Sequence, residues 1–457
     1  MSDRTPVLSQ GSVGVVGRGT NLRAVLLDTQ GPEIRTTKLK DDASGKHTVA
    51  LEKGSSVTLR SGEGAGALSD ASTIYIQYGA GVHNILQAGT RVLLDDGAVS
   101  LTVSSVDGED VRCKVLNDGK IRSRVGVNLP GVKTNLPAMS EKDRVDIRYG
   151  VENDVDFVAA SFVRDAAGVR EIRSYIASLV EGTGGTAPLI ISKIENVEGV
   201  NNFSEILEES DAIMVARGDL GVEIELESVT IAQKEMVAQC NAVGKPVIVA
   251  TQMLESMTKN PRPTRAEVSD VTNAVIDGAD AVMLSGETAK GNYPVETVRT
   301  MQSIIATSES LIARKNDDRM GRPSGFDNRS VKKEHCDFDI VARAAVTASK
   351  AAAAIIVMTK TGRTAQLISS YRPDVPILCI CPTHKVGRQL QIYRGCHPIV
   401  DEDLRETNFW ERGFEATKLC KELKFVLPGD KVVLVTAEKG DGLGLCMGMK
   451  VGTVGAE

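Results

Sequence analysis

Aromatic residues are scarce in this chain: Phe, Trp and Tyr make up 4% of 457 positions, with a single Trp. Val, Ile, Leu and Ala must therefore fill the interior, which favours sheets covered by helices over an aromatic-rich all-β design. No apolar run reaches the 18 or so residues of a membrane-crossing helix. The opening Met-Ser-Asp-Arg-Thr-Pro also lacks the apolar stretch of a leader peptide. No membrane partner is expected, and the expected compartment is the cytoplasm. None of the eight cysteines forms a C-x-x-C pair. Cys379 and Cys381 share one face of an apolar run and read as small-residue packing, with a thiol site as the alternative, in a reducing compartment. The five histidines stand at no metal-ligand spacing and receive no catalytic role. There is no stripe of Lys and Arg, so nucleic acid is not an expected partner. With a net charge of -6 the overall field repels anions, and an anionic substrate would need local cations or metal ions.

What is present is strand–helix alternation. Short apolar runs at 24–27, 155–160, 189–191, 212–216, 247–250 and 279–284 are separated by helix-period segments. One such segment carries Val169, Ile172, Ile176 and Leu179; another carries Val298, Met301, Ile305 and Leu311. This rhythm implies a parallel sheet, and its six units read as a (β/α)8 TIM-type barrel lacking its first two β/α units. Residues 1–35 and 138–313 form this split barrel. Residues 36–137 break the rhythm with short strands such as 73–77 and 99–103, and with Asp-Gly pairs at 96–97, 107–108 and 118–119 that signal hairpins. They read as an all-β lid insert of β-barrel type. Residues 314–335 are polar and read as a linker. Residues 336–457 read as a C-terminal doubly wound α/β domain, with helices at 338–353 and 364–371 and strands at 355–358, 377–381 and 432–435.

In such barrels functional groups gather at the C-terminal ends of the strands. The runs end in Asp28-Thr29, Ser161, Lys193-Ile194-Glu195, Arg217-Gly218-Asp219, Thr251-Gln252 and Ser285-Gly286-Glu287. Lys193 and Glu195, two apart, point the same way from a strand. Glu195 and Asp219 place two carboxylates at one mouth, a donor set suited to Mg²⁺, and a lysine beside them suits phosphoryl transfer. The alternative is a structural salt bridge. Gly218-Asp219-Leu220-Gly221 offers backbone N–H groups to a carboxylate or phosphate, or is an ordinary tight turn. The hydroxyls of Thr251 and Ser285 either contact substrate or proton-carrying water, or cap the helices that follow. Thr359-Lys360-Thr361-Gly362-Arg363-Thr364 forms a phosphate cradle before a helix, unless Thr361 serves only as its N-cap. It is not a G-x-x-x-x-G-K-[ST] loop.

The strings LLDTQGPEIRT (26–36), GVNLPG (126–131), ISKIENVEGV (191–200), AIMVARGDLGVEI (212–224), ATQMLESM (250–257), NPRPTRAEVSDV (260–271) and ADAVMLSGETAKGNYP (279–294) resemble the pyruvate kinase family. The resemblance implies phosphoryl transfer from phosphoenolpyruvate to ADP, giving pyruvate and ATP. It implies that Lys193 stabilises the phosphoryl group and that Glu195 and Asp219 bind Mg²⁺ or Mn²⁺. Gly218, Asp219 and Thr251 would hold the phosphoenolpyruvate carboxylate. Thr251 and Ser285 would lie near the carbon that gains a proton. Asp28 and Thr29 would bind K⁺, Glu33 fits the potassium-dependent form, and Arg35 would hold the transferred phosphate. The insert would close over nucleotide, the 359–364 string would bind a phosphorylated allosteric effector, and the chain would form a homotetramer.

The sequence departs from the family in places. The first-strand Thr-Ile-Gly-Pro and second-strand Arg-x-Asn-Phe-Ser-His-Gly segments do not occur. Gln30 and Val125 stand where lysine is usual, and the acidic 438–441 loop lacks the Trp/Arg contacts of members regulated by fructose bisphosphate. A second expectation is therefore a catalytically impaired or inactive subunit with a binding role only. A third, a carbon–carbon lyase of the phosphoenolpyruvate-handling barrels, would have neither the insert nor the C-terminal domain.

Overall fold

The computed structural model describes residues 22–42, 46–62, 67–318, 336–402, 409–440 and 444–455. Six parallel strands pair in chain order into one sheet: Leu26–Asp28, Phe157–Ala160, Leu189–Ile194, Ala212–Ala216, Val247–Ala250 and Ala281–Val282. That matches the number of β/α units read from the sequence. The strands alternate strictly. Phe157, Ala159, Ile191, Met214 and Ile248 share an interior cluster, whereas Val158, Ala160, Ile190, Ile213 and Val249 pack outward against helices.

The crossover helices form where the sequence supplies caps and an apolar stripe. Helix Ala166–Val180 begins where the Asp165 side chain accepts the Gly168 N–H at 2.8 Å, and it buries Val169, Ile172 and Ile176. Helix Arg265–Asp277 opens on a capping box of Thr264 and Glu267 and stops at Gly278, whose φ of 105° only glycine adopts without strain. Helix Pro294–Asp318 runs five residues past the expected barrel boundary, into the segment read as linker. On it Val298 is 51% exposed, so the apolar stripe read from the sequence is only partly a core stripe; Met301 and Ile304 carry the burial.

The insert is a seven-stranded sheet with its own core, and Arg35–Thr36 belongs to it rather than to the barrel, pairing with Thr73–Gln77. The Asp-Gly pairs at 96–97 and 107–108 do turn hairpins. That at 118–119 does not: the strand Gly119–Ile121 pairs instead with Val49–Leu51, far back in the chain.

The C-terminal sheet has five strands in the order Cys396–Val400, Ile377–Cys381, Ala354–Met358, Lys431–Gly440 and Gly444–Thr453, and the last is antiparallel to its neighbour. Its first helices, Cys336–Ser349 and Arg363–Ser369, end four and two residues earlier than expected. This domain docks against the N-terminal ends of the barrel strands. Asp156, fully buried just before its strand, accepts the Val25 N–H and the Arg388 guanidinium, and Arg372 pairs with Asp280 before the last strand. The opposite end, where the strands finish, is left to the insert. Among the described residues no helix is long and apolar enough to cross a membrane.

Candidate functional site

Where the strands end, three of them bring their terminal side chains onto one ammonium group. Lys193 donates to Asp28 Oδ1 at 3.0 Å and to Ser161 Oγ at 2.9 Å, and it lies 3.1 Å from Glu195 Oε1. An ammonium has three hydrogens, so these three acceptors fix its direction as well as its charge. Ser161 is in turn oriented. Its hydroxyl donates to the Thr29 carbonyl at 2.7 Å, which turns its lone pairs toward Lys193.

Glu195 is 1% exposed and accepts the Phe162 N–H at 2.6 Å. Phe162 has φ of 54°, a left-handed backbone that aims its amide at the carboxylate. Burial pushes Glu195 up to about 7, against the pull of Lys193 and with help from the nearby Asp219 charge. Asp219 is raised in the same way, by burial first, opposed by Lys193 and reinforced by Asp96. Burial also raises Glu33 and Glu223. For Lys193, burial works against the charge, but Glu195 and Asp28 outweigh it and its pKa rises. The cluster thus holds more buried negative charge than its lysine neutralises.

That imbalance is the condition a bound cation would relieve. Glu195 and Asp219 offer hard oxygen donors of the kind Mg²⁺ takes. No group of three His, Cys, Asp or Glu converges at metal-binding distance among the described residues, so the two carboxylates would leave most of a hexacoordinate shell to water and substrate oxygens. Asp28 sits beside Lys193 and remains half exposed, while the Thr29 hydroxyl donates to the Ala159 carbonyl and accepts the Ser161 N–H, both at 3.1 Å.

The structure brings Thr251 to the same rim, next to Gly218, whose side-chain direction points at the Thr251 methyl and hydroxyl. Gly218 and Asp219 lie in the first turn of helix Arg217–Glu223, as the motif implied. Neither hydroxyl at the rim is a helix cap. Thr251 Oγ1 donates to the Ala250 carbonyl at 2.6 Å, and Ser285, at the N-cap position of helix Gly286–Ala289, makes no capping bond: its Oγ is buried with no hydrogen-bond partner among the described residues. Arg35 pairs with Glu33 and donates to the Arg124 carbonyl at 2.9 Å, on the wall of a cleft of about 700 Å³ between insert and barrel. That cleft is also lined by Asp96, Arg122, Lys133, Arg164, Asp219 and Glu223. Asn128 of the insert bonds Glu223 of the barrel across it at 2.9 Å.

Sequence reasoning placed Ser161 at a strand end without a role, and it missed Arg164 and Lys133 entirely. Arg164 donates to Thr134, Leu136 and Pro137 and so ties the returning end of the insert to the barrel; only the run of loop residues after 126–131 hinted at it. In the 359–364 string the helix N-cap is Gly362, at φ of 85°, not Thr361. Thr359 is buried and accepts the Gly362 N–H at 3.0 Å.

Comparison with known proteins follows the same division of the chain. The family described as "Pyruvate kinase, barrel domain" matches residues 15–298, and "Pyruvate kinase, alpha/beta domain" matches 339–447. A pyruvate kinase of Agaricus bisporus is 41% identical over 442 residues, covering 94% of this chain and 80% of its own. Pyruvate kinase PKLR of Homo sapiens is 43% identical over 426 residues, covering 90% and 71%. The crystal structure of a pyruvate kinase from Cryptosporidium parvum superposes with a TM-score of 0.82 at 38% identity, covering 95% of this chain and 84% of that one.

Proposed function

From the premise that this chain belongs to the pyruvate kinase family and transfers a phosphoryl group from phosphoenolpyruvate to ADP, we propose that Lys193, Glu195 and Asp219 are the centre of that transfer. The observation that carries this is the ammonium of Lys193 fixed by Asp28, Ser161 and Glu195, with Asp219 raised beside it. As the phosphoryl group leaves the enol oxygen, charge spreads over its own oxygens, and a preorganised cation there stabilises it without reorganising. Glu195 and Asp219 would hold Mg²⁺ or Mn²⁺, which supplies further positive charge to those oxygens. Asp28 and Thr29 would hold K⁺.

The remaining groups divide the substrate between them. Gly218 and Asp219, at the start of a helix, present N–H groups to the carboxylate. Thr251 shares that end of the substrate and, with the Ser285 hydroxyl acting through water, serves the carbon that is protonated once enolate remains. Arg35 faces the transferred phosphate. Arg122, Arg124 and Lys133 give the insert side of the cleft positive charge suited to nucleotide phosphates, and closure of the insert excludes water that would hydrolyse the phosphoryl group. The 359–364 loop, with Lys360 and Arg363, binds the phosphate of an allosteric effector. The chain assembles as a homotetramer, as its resemblance to the family implies. The compartment is the cytoplasm.

No finding favours an inactive subunit, and the insert and C-terminal domain exclude the lyase reading. The test is pyruvate formation coupled to lactate dehydrogenase, with phosphoenolpyruvate, ADP, Mg²⁺ and K⁺. The site assignment is sunk if Lys193→Ala turns over as fast as the unsubstituted chain.

A further inference from the structure

Thr251 and Gln252 have φ of 69° and 55°, two successive non-glycine residues in the left-handed region. For a β-branched threonine this is a true outlier, and such strain persists only where the surroundings over-determine it. One side chain in those surroundings binds both carbonyls at the start of this turn. Arg217 donates from Nε to the Ala250 carbonyl at 3.2 Å and from Nη2 to the Thr251 carbonyl at 2.7 Å. Its two terminal nitrogens each lie 2.7 Å from an oxygen of Asp270, a bidentate pair, and Nη1 also reaches Gln233 at 3.3 Å. The side chain is 13% exposed.

We propose that Arg217, anchored by Asp270, is a positioning residue that holds Thr251 in its strained turn and sets its hydroxyl relative to Gly218 and Asp219. The planar fork matters. One guanidinium takes two consecutive carbonyls on one edge and a carboxylate on the other, which an ammonium cannot do. Arg217 is also the residue before Gly218-Asp219, so a single group ties together the ends of strands Ala212–Ala216 and Val247–Ala250. Asp270, on helix Arg265–Asp277, reaches this clamp from outside the rim. The inference rests on the reading that Thr251 serves the proton transfer to the enolate carbon.

The experiment compares Arg217→Lys, Asp270→Asn and Thr251→Val in the full chain. Two rates are read separately: washout of pyruvate methyl hydrogens into D₂O with Mg²⁺, K⁺ and ATP, followed by NMR, and phosphoryl transfer from phosphoenolpyruvate to ADP with Mg²⁺ and K⁺, followed by the ATP formed in a rapid-quench single turnover. In washout a C–H bond breaks, its proton passes to solvent and the electron pair forms the enolate. Thr251→Val lowers the ratio of washout to phosphoryl transfer, and Arg217→Lys and Asp270→Asn reproduce that drop, by about ten- to a hundredfold for a displacement near 1 Å. The KM for ADP stays unchanged. A merely structural ion pair would lower the melting temperature and both rates together. If Thr251→Val shows the drop and Asp270→Asn, folded, does not, the positioning role is overturned while the reading of Thr251 stands. If Thr251→Val leaves the ratio unchanged, that reading fails and the inference with it.

Discussion

Replacing Glu195 by Gln should make the metal-free protein more stable at neutral pH while abolishing its function. The residue is 1% exposed, and its carboxyl is pushed up to about 7 from an ordinary 4.5. At about 1.4 kcal/mol per tenfold change in the proton equilibrium, its ionised form is disfavoured in the fold by about 3 kcal/mol. The sign follows from the raised value. The contribution of this group to stability is fully present below pH 4.5 and is lost as pH rises through about 7. A glutamine amide cannot ionise, so Glu195→Gln removes this loss, less what Lys193 gives up with one of its partners. A net gain of about 1–2 kcal/mol at pH 8 is expected, a rise of a few degrees in Tm. The assay is thermal unfolding from pH 5 to 8, once in chelator and once with Mg²⁺ in place of chelator. The unsubstituted chain should lose stability across that window and regain it on adding Mg²⁺; Glu195→Gln, which keeps the raised Asp219, should do both to a smaller extent. Equal pH slopes in the two proteins, or equal stabilisation by Mg²⁺, would refute the reasoning.

Other substitutions separate the remaining roles. Ser161→Ala removes one of three acceptors from Lys193 and should lower kcat about tenfold, with Ser161→Thr recovering part of it; steady-state kinetics reads the difference. Asn128→Ala removes the bond between insert and barrel and should raise the KM for ADP several-fold while leaving that for phosphoenolpyruvate near its original value. Ile191→Ala, in the interior of the barrel, should cost about 2–5 kcal/mol by cavity formation, measured as a fall in Tm. Light scattering should report a mass near four chains, and a single-chain mass would remove the tetramer.

Much of the barrel was legible because its signals are local. Apolar runs of three to six residues, each ending in polar groups, located all six strands, and one rule about strand ends gathered Asp28, Ser161, Lys193, Asp219 and Thr251 at one mouth. What was not legible depends on pairing across distance. The Asp118-Gly119 turn looks like its two hairpin neighbours, but its strand partners residues 49–51, far back in the chain. Arg164 is an ordinary charged residue in sequence, and only the fold shows its guanidinium against the loop returning from the insert. The clamp of Arg217 on Thr251 joins residues 34 apart and carries no sequence period. The segment 319–335, most of the expected linker, and residues 441–443 of the acidic loop lie outside the described residues.

The most direct test is the turnover of Lys193→Met, which keeps the side chain's volume and removes its charge. With phosphoenolpyruvate, ADP, Mg²⁺ and K⁺ at saturation, kcat should fall by at least about a hundredfold, as for loss of a preorganised charge at the transition state. A kcat within a few-fold of the unsubstituted chain would contradict the account.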